Sequence, residues 1–452
     1  MQKSLIAVLL ASAFSLDANA ADLIQVYQQA LANDATFASA RASLQAGMER
    51  MPQARALLLP SISGSASTTR SDTKSSPWNV GQTFTDPVTG NPIMVTSNET
   101  DSRLTRYGVS LSQPLFNWAA WQTYQQSKLA QAAFEAQFAQ AQQDLITRVA
   151  QAYFDVLAAQ DTLETIRAQK SATTEQLASA KRNFEVGTQT ITDTHEAQAA
   201  YDLVVAQEFQ AANELENRRT ALQTIIGTTP GAVAPLKPGV TLAAPQPAVL
   251  DPWVSSAESQ NYAVIGAQLN LESAKRDISR NRAGHYPVVN LVADAGRSRV
   301  PGQTDSSGTV TSRNVGIQVA IPIFNGFAVT SKVRETIALE DKARNDLEAT
   351  RRNAAQGARI AFAGVNTGLA QVKALEAAEV SSQSALDSNK LGYQVGVRIN
   401  IDVLNAQRQL FTTRRDLSRA RYDTIVNGLR LKAAAGVLKE ADLVPINDLL
   451  QK

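Results

Sequence analysis

WAAWQTYQQSKLAQAAFEAQFAQAQQDLITRVAQAYFDVLAAQDTLETIRAQKSATTEQLASAKRNFEVG, residues 118–187, holds no proline and meets its first glycine only at its last position, Gly187. Between Asn117 and Gly227 there is again no proline, and Gly187 is the only internal glycine. Ala, Gln, Leu, Glu and Arg dominate, the residues that lose least on entering a helix. Helix is therefore expected throughout, with one interruption at residues 184–193. Upstream of it, about 65 helical residues at 1.5 Å each make a rod roughly 100 Å long. From Tyr201 the 3-4-3-4 spacing Tyr201, Val205, Glu208, Ala212, Leu215, Arg219, Leu222, Ile226 describes a coiled-coil seam with polar interruptions rather than a wide apolar stripe. Such a hairpin needs a partner, because these positions are too sparse and small to bury a core of their own.

Composition narrows the class. Charges of both signs are interspersed and the formal net charge is +2, so no basic tract marks a nucleic-acid surface. The absence of cysteine removes disulfides, thiolate nucleophiles and zinc–thiolate sites together. Lys3, the apolar run 5–14 and Ala18-Asn19-Ala20 read as a secretory signal over 1–20, cleaved before Ala21. That run is shorter than the about 20 residues a membrane anchor needs. No later segment approaches the length of a spanning helix, so a membrane crossing by this chain would use strands.

Outward from the long helix, Pro114 ends a segment in which Tyr107, Val109 and Leu111 alternate with Arg106, Gly108, Ser110 and Ser112, the period of a strand. A weaker alternation over 61–70 precedes it, across a loop rich in proline, glycine and polar residues at 71–102. Before that, a helix is expected over 22–58, beginning near Asp22, kinked at Pro52 and stopped by Pro60. Prolines at 230, 235, 238, 245, 247 and 252 make a linker. The order then recurs. Helix is expected over 253–284, and a strand over 288–297 with Val289, Leu291, Ala293 and Ala295 on one side. A second loop at 300–312 leads to a strand with Val315, Ile317, Val319 and Ile321 opposed to Asn314, Gly316, Gln318 and Ala320. Pro322 follows, and then a proline-free run to Pro445. Pro114 and Pro322 are 208 positions apart; Gly187 and Gly396, Asp193 and Asp402, and Phe184 and Tyr393 are each 209 apart. Glycine, proline and acid coinciding at one offset identify a tandem duplication.

Four strands are too few to close a barrel, yet their faces divide into apolar and polar or small, as in a membrane barrel with a wet interior. An open sheet edge in lipid leaves backbone groups unpaired at several kcal/mol each. Closure must then come from other copies. Twelve strands from three chains, about 4.8 Å apart and tilted about 40°, give a backbone radius of roughly 12 Å. Two hairpins in a soluble, two-sided sheet are the alternative, but no segment offers a core to cover them.

Several stretches resemble the TolC family of trimeric outer-membrane export channels: Asp22-Leu23-Ile24-Gln25-Val26-Tyr27-Gln28-Gln29-Ala30, Tyr153-Phe154-Asp155-Val156-Leu157, Phe184-Glu185-Val186-Gly187, Ile321-Pro322-Ile323-Phe324 and Gly392-Tyr393-Gln394-Val395-Gly396. The resemblance spans residues 21–443. It implies a membrane β-barrel, twelve-stranded and completed by a homotrimer, continued by a long α-helical coiled-coil barrel in the periplasm. On that plan the signal peptide (1–20) is followed by a periplasmic helix (21–58), a first barrel hairpin (59–115) and a long helical hairpin (116–227) with its tip at 184–193. An equatorial linker (228–252) leads to a second periplasmic helix (253–286), a second barrel hairpin (287–322), a helical hairpin (323–437) with its tip at 392–402, and a C-terminal equatorial segment (438–452).

The turns Val186-Gly187-Thr188 and Val395-Gly396-Val397 fall at the far tip, where glycine permits the left-handed backbone that ends a helix. The resemblance implies that these turns contact a periplasmic adaptor. Asp193 and Asp402 begin the returning helices, where an exposed acid gains about 0.3–1 kcal/mol from the helix dipole. The resemblance adds a channel gate: Asp193 against Tyr393, Thr192 against Arg398, and Asp402 facing the pore axis. A ring of three such carboxylates favours a cation held between them. Asn405 stands where the better-known pattern has a second pore-facing acid, so weaker block by multivalent cations is expected.

Catalysis finds no support. His195 and His285 are far apart with no cysteine to pair with either, and Asp193 and Glu196 at i, i+3 read as a solvated helix start. No cofactor, metal or nucleic acid is expected. The expected function is the outer-membrane duct of a tripartite efflux or type I secretion system, set in outer-membrane lipid and opened at its periplasmic end by an adaptor (membrane fusion) protein and an inner-membrane RND or ABC transporter. The alternative is a structural coiled-coil or adhesin-like surface protein without transport.

Overall fold

The structure, a computed structural model, describes residues 20–94, 98–300 and 308–451. The expected signal peptide, Ala20 excepted, and most of the second interstrand loop lie outside them. Two compact units are formed, one of residues 47–131 and 270–343, the other of the described residues among 1–46, 132–269 and 344–452.

The strands all belong to the first of these units: β1 (Ser61–Ser75), β2 (Thr83–Thr85), β3 (Pro92–Met94), β4 (Asn98–Phe116), β5 (Val288–Val300) and β6 (Gly308–Ala320). β2 and β3 make a small hairpin in the connection between β1 and β4. The other four form one antiparallel sheet in the order β1-β4-β5-β6. Directly opposed residues of such a sheet share a face. Ile62 opposes Leu111, which opposes Ala293, which opposes Val315, and Tyr107, Val109, Val289, Leu291, Ile317 and Val319 fall on that same face. The other face is polar. Ser63, Ser110, Asp294 and Asn314 lie in one row across it, with the Ser63 and Ser110 hydroxyls 2.8 Å apart and Asn314 Nδ2 donating to Asp294 Oδ2 at 2.9 Å. β4 also runs past Pro114, where the sequence reading ends it. Pro114 opposes Asn290 and Phe116 opposes Val289, so Leu115 is the extra residue of a bulge, a location that tolerates a residue without an N–H.

The first helix expected over 21–58 is three: α1 (Leu23–Asn33), α2 (Ala35–Met48) and α3 (Arg50–Ala56). Asp34 makes the first break. Its backbone is extended, its own N–H closes α1 on the Ala30 carbonyl, and its Oδ1 accepts from Phe37 N at 2.6 Å to start α2. Arg148 holds the same buried carboxylate at 3.1 Å. Pro52 makes the second break: it has no N–H to give and its ring crowds the carbonyl four residues back, so the helix lapses at Glu49.

α4 (Trp118–Glu185) runs 68 residues without interruption and returns through α5 (Ile191–Ile226). α6 (Asp251–Gln260) and α7 (Tyr262–Arg282) replace the single helix expected over 253–284, because Asn261 is extended and caps the new start with Oδ1 accepting from Ala263 N at 2.9 Å. α8 (Ala328–Gln394) runs 67 residues and returns through α9 (Asn400–Ala434); α10 (Leu443–Asn447) lies near the C-terminus. The main core joins Leu145, Val149, Tyr153, Phe154 and Leu157 of α4 to Leu23 and Val26 of α1, Leu222 and Ile226 of α5, and Tyr422 and Leu429 of α9. On α5 the buried seam is Ala197, Val204, Ala211, Leu215, Leu222, Ile226. From Leu215 onward it coincides with the expected seam, but upstream it runs one residue earlier, because a 3.6-residue helix drifts against a strict seven-residue count.

Residues 228–252 carry little regular structure but are tied to Ala21 and to residues near the C-terminus. Ala21 N donates to Ala232 O at 2.7 Å, Lys237 N to Leu449 O at 2.9 Å and Gln451 N to Pro235 O at 2.8 Å. The Tyr153 hydroxyl lies between the carbonyls of Ala234 (2.9 Å) and Ala21 (3.1 Å), sharing one proton between them. Among the described residues no helix is long and apolar enough to cross a membrane.

Candidate functional site at the helical tips

Both long hairpins turn through a glycine in the left-handed region, Gly187 at φ +74° and Gly396 at φ +78°, so any other residue there would be strained. In the first turn Gly187 N donates to Phe184 O at 3.0 Å and Thr188 N to Asn183 O at 2.9 Å; in the second Gly396 N donates to Tyr393 O at 3.1 Å and Val397 N to Gly392 O at 2.8 Å. These bonds consume the last carbonyls of α4 and α8 and push the intervening side chains outward. Val186 is 71% exposed and Val397 79%, with Thr188 and Val395 also exposed. Six residues expected to meet an adaptor thus form two small knobs, apolar but for Thr188.

Past the first turn the chain re-enters helix through a capping box. Asp193 N donates to Thr190 Oγ1 at 3.4 Å while Asp193 Oδ2 accepts from Thr190 N at 3.1 Å and Thr190 Oγ1 at 2.9 Å, satisfying donors a helix start leaves free. Asp193 is therefore spent on its own helix, and Thr192 is exposed. Tyr393 receives its hydrogen bond from Gln189 Nε2 instead of meeting Asp193. Arg398 turns to Asp402 at 3.6 Å, one helical turn away, rather than to Thr192. Within one chain, then, neither pair implied by the resemblance forms. Asp402 is half-buried and Asn405 exposed, both on the first turns of α9.

Beside the tips the two hairpins are joined by uncharged groups absent from the sequence reading. Gln176 Nε2 of α4 donates to Asn400 Oδ1 of α9 at 2.6 Å, and Asn400 Nδ2 donates to the Asp193 carbonyl of α5 at 3.1 Å. One signal was available: at the 209-residue offset Asn400 corresponds to Ile191, so a polar residue replaces an apolar one just where a seam begins.

Farther along the helices, the Tyr422 hydroxyl donates to Asp161 Oδ2 at 2.7 Å, and the Phe154 and Tyr422 rings stack with centroids 5.6 Å apart. Burial pushes the Asp161 carboxyl above its ordinary range, against the hydrogen bonds of Tyr422 and Ser418. Burial, and then the Asp161 charge, push the Tyr422 phenol up. Burial likewise raises Tyr153, and it lifts Tyr27 to about 12. Among the described residues no cluster of three or more His, Cys, Asp or Glu is arranged to hold a metal ion.

A family model described as outer membrane efflux protein matches residues 26–228 and 253–437. Outer membrane protein TolC of Vibrio cholerae is 32% identical over 433 residues, covering 95% of this chain and 93% of that protein. Alkaline protease secretion protein AprF of Pseudomonas aeruginosa is 30% identical over 431 residues, covering 94% and 87%. Among solved structures, the outer membrane protein VceC from Vibrio cholerae superposes with a TM-score of 0.75 at 19% identity, covering 92% of this chain and 96% of that one, a likeness of fold alone.

Proposed function

The chain belongs to the outer membrane efflux protein family, and on that premise we propose that it works as the outer-membrane duct of a tripartite efflux or type I secretion system, completed by three copies and opened at its periplasmic end by an adaptor and an inner-membrane RND or ABC pump. It is a conduit and not an enzyme: direction and energy come from the partners. The observation that carries the trimer is the sheet. β1 and β6 are its two edges, and among the described residues neither outer edge has a partner. Its apolar face is left open, with Val315, Ile317 and Val319 more than half exposed. Three four-stranded sheets joined edge to edge pair every backbone group, turn the apolar face to lipid and the Ser/Asp/Asn face to water. The common order of strand, strand, long helix, turn and helix in both halves supports a duplicated unit. Exposed Ile360 and Val380 on α8 and Phe209 on α5 are further apolar surface for neighbouring copies to cover.

On this reading Val186, Gly187, Thr188, Val395, Gly396 and Val397 meet the adaptor, and Thr192, Asp193, Tyr393, Arg398, Asp402 and Asn405 line the gate, the first four finding cross-partners only between copies or in another state. The test is reconstitution of the purified protein into a planar bilayer, with its mass measured in detergent. A trimer that inserts and conducts ions is expected; a water-soluble monomer that leaves the bilayer silent overturns the proposal.

A further inference from the structure

Asn400 is the first residue of α9 and is 0% exposed. It heads the buried seam that continues through Val403, Leu404, Gln407 and Leu410. A carboxamide in such a seam costs stability unless its hydrogen bonds are made, and a polar residue kept at a seam position serves to fix which helices meet and in what register. Both halves of this carboxamide are used, and both partners are remote: Gln176 lies 224 positions away and the Asp193 carbonyl 207. Three helices, α4, α5 and α9, are thus pinned at one point beside the tip. A second side-chain link between the hairpins at the tip, Gln189 to Tyr393, is likewise uncharged. The ion pair at the second tip, Arg398 with Asp402, joins the turn to the first helical turn of α9 and does not link the two hairpins. One heptad further along α9, Gln407 buries an amide oxygen that has no partner among the described residues, so the seam adds no matching acceptor bond there.

Resting on the export-duct reading above, we infer that Asn400 is a positioning residue of the gate: with Gln176 it forms a neutral, buried amide latch that clamps the start of α5 onto α9 and holds the tip closed until a partner prises the hairpins apart. Charge has no part in the latch. Because Asn400 is out of water, solvent cannot replace its bonds one at a time, and Gln176 and Asp193 lose their partner together when α9 swings away.

The experiment compares the resting conductance of the full-length protein in planar bilayers for wild type, Asn400→Leu, Gln176→Leu and the double variant, with thermal unfolding measured on the same preparations. Each single substitution is expected to raise resting conductance at least about threefold, the scale on which losing one net hydrogen bond shifts a two-state gate. The double variant should exceed the larger single effect by little, since both break one bond. Gln176 is only half-buried, so Gln176→Leu should still fold, melting below wild type because Asn400 Oδ1 loses its donor, and it decides the matter if Asn400→Leu does not assemble. Unchanged conductance in folded Gln176→Leu overturns the latch, as do fully additive effects. Silence of wild type and of every variant removes the duct and the latch together, whereas a conducting wild type with unresponsive variants removes the latch alone.

Discussion

Asp161 sits against Tyr422 on the seam between α4 and α9, and its carboxyl is raised chiefly because burial disfavours the charge. The sign of the consequence follows from proton counting. Between the ordinary carboxylate pKa of the unfolded chain and the higher folded value, the folded protein binds more protons, so stability falls as pH rises through that window. Below the unfolded value the penalty is absent; above the folded value it is fully present. Asp161→Asn keeps an acceptor for the Tyr422 hydroxyl and is never charged. It should therefore melt about 2 °C or more above wild type at pH 7, with the difference closing as pH falls below the ordinary carboxylate range. A melting series across pH checks this, and a difference that persists undiminished in acid would mean that packing rather than charge burial sets the cost. Asp161 was not legible beforehand, because its partner lies 261 positions away and nothing local marks it as buried.

At the scale of the element, Asp34 decides where α1 ends, and it does so twice over, as a cap for α2 and as the partner of Arg148. Asp34→Ala leaves Phe37 N without its acceptor and should cost about 1–2 kcal/mol in denaturant unfolding. Asp34→Asn, which keeps the acceptor and loses the charge, should recover most of that. The Arg148 side chain is 39% exposed, so the guanidinium can turn to water; equal losses in the two variants would reverse the ranking and make the ion pair the stronger contribution. The same comparison separates what the sequence makes visible from what it hides. α4, α8 and the two tip turns are legible because composition, proline exclusion and a glycine needed at positive φ all act within a few residues. The strand faces are legible because period-2 alternation survives in register across β4, β5 and β6. The break at Asp34 is hidden because no proline or glycine stands there, and the Asn400 latch is hidden because it exists only once three helices have come together. The upstream seam of α5 lies between these cases, its period correct and its phase one residue out.

For the whole molecule, the proposed three-fold axis turns single residues into rings. Asp402 contributes one carboxylate per copy, and Arg398, in the turn just before α9, lies 3.6 Å from it, which offsets part of that negative charge. Asn405, three residues on and exposed, adds none. A ring of three partly offset carboxylates holds a multivalent cation less firmly than a ring of six, since each added charge at short range strengthens attraction at the axis. Single-channel recording with a trivalent cation added on the side of the helical tips should therefore give weak block in wild type. Block should vanish in Asp402→Ala, and in Asn405→Asp it should tighten on the order of tenfold, the change that about 1.4 kcal/mol of added attraction produces. Asn405 is exposed and makes no side-chain hydrogen bond or ion pair among the described residues, so the variant isolates charge from packing. Wild type blocked as tightly as Asn405→Asp would mean that Asn405 does not face the axis; block unchanged in Asp402→Ala would take Asp402 off the axis as well, and with it the gate geometry that the three-fold arrangement implies.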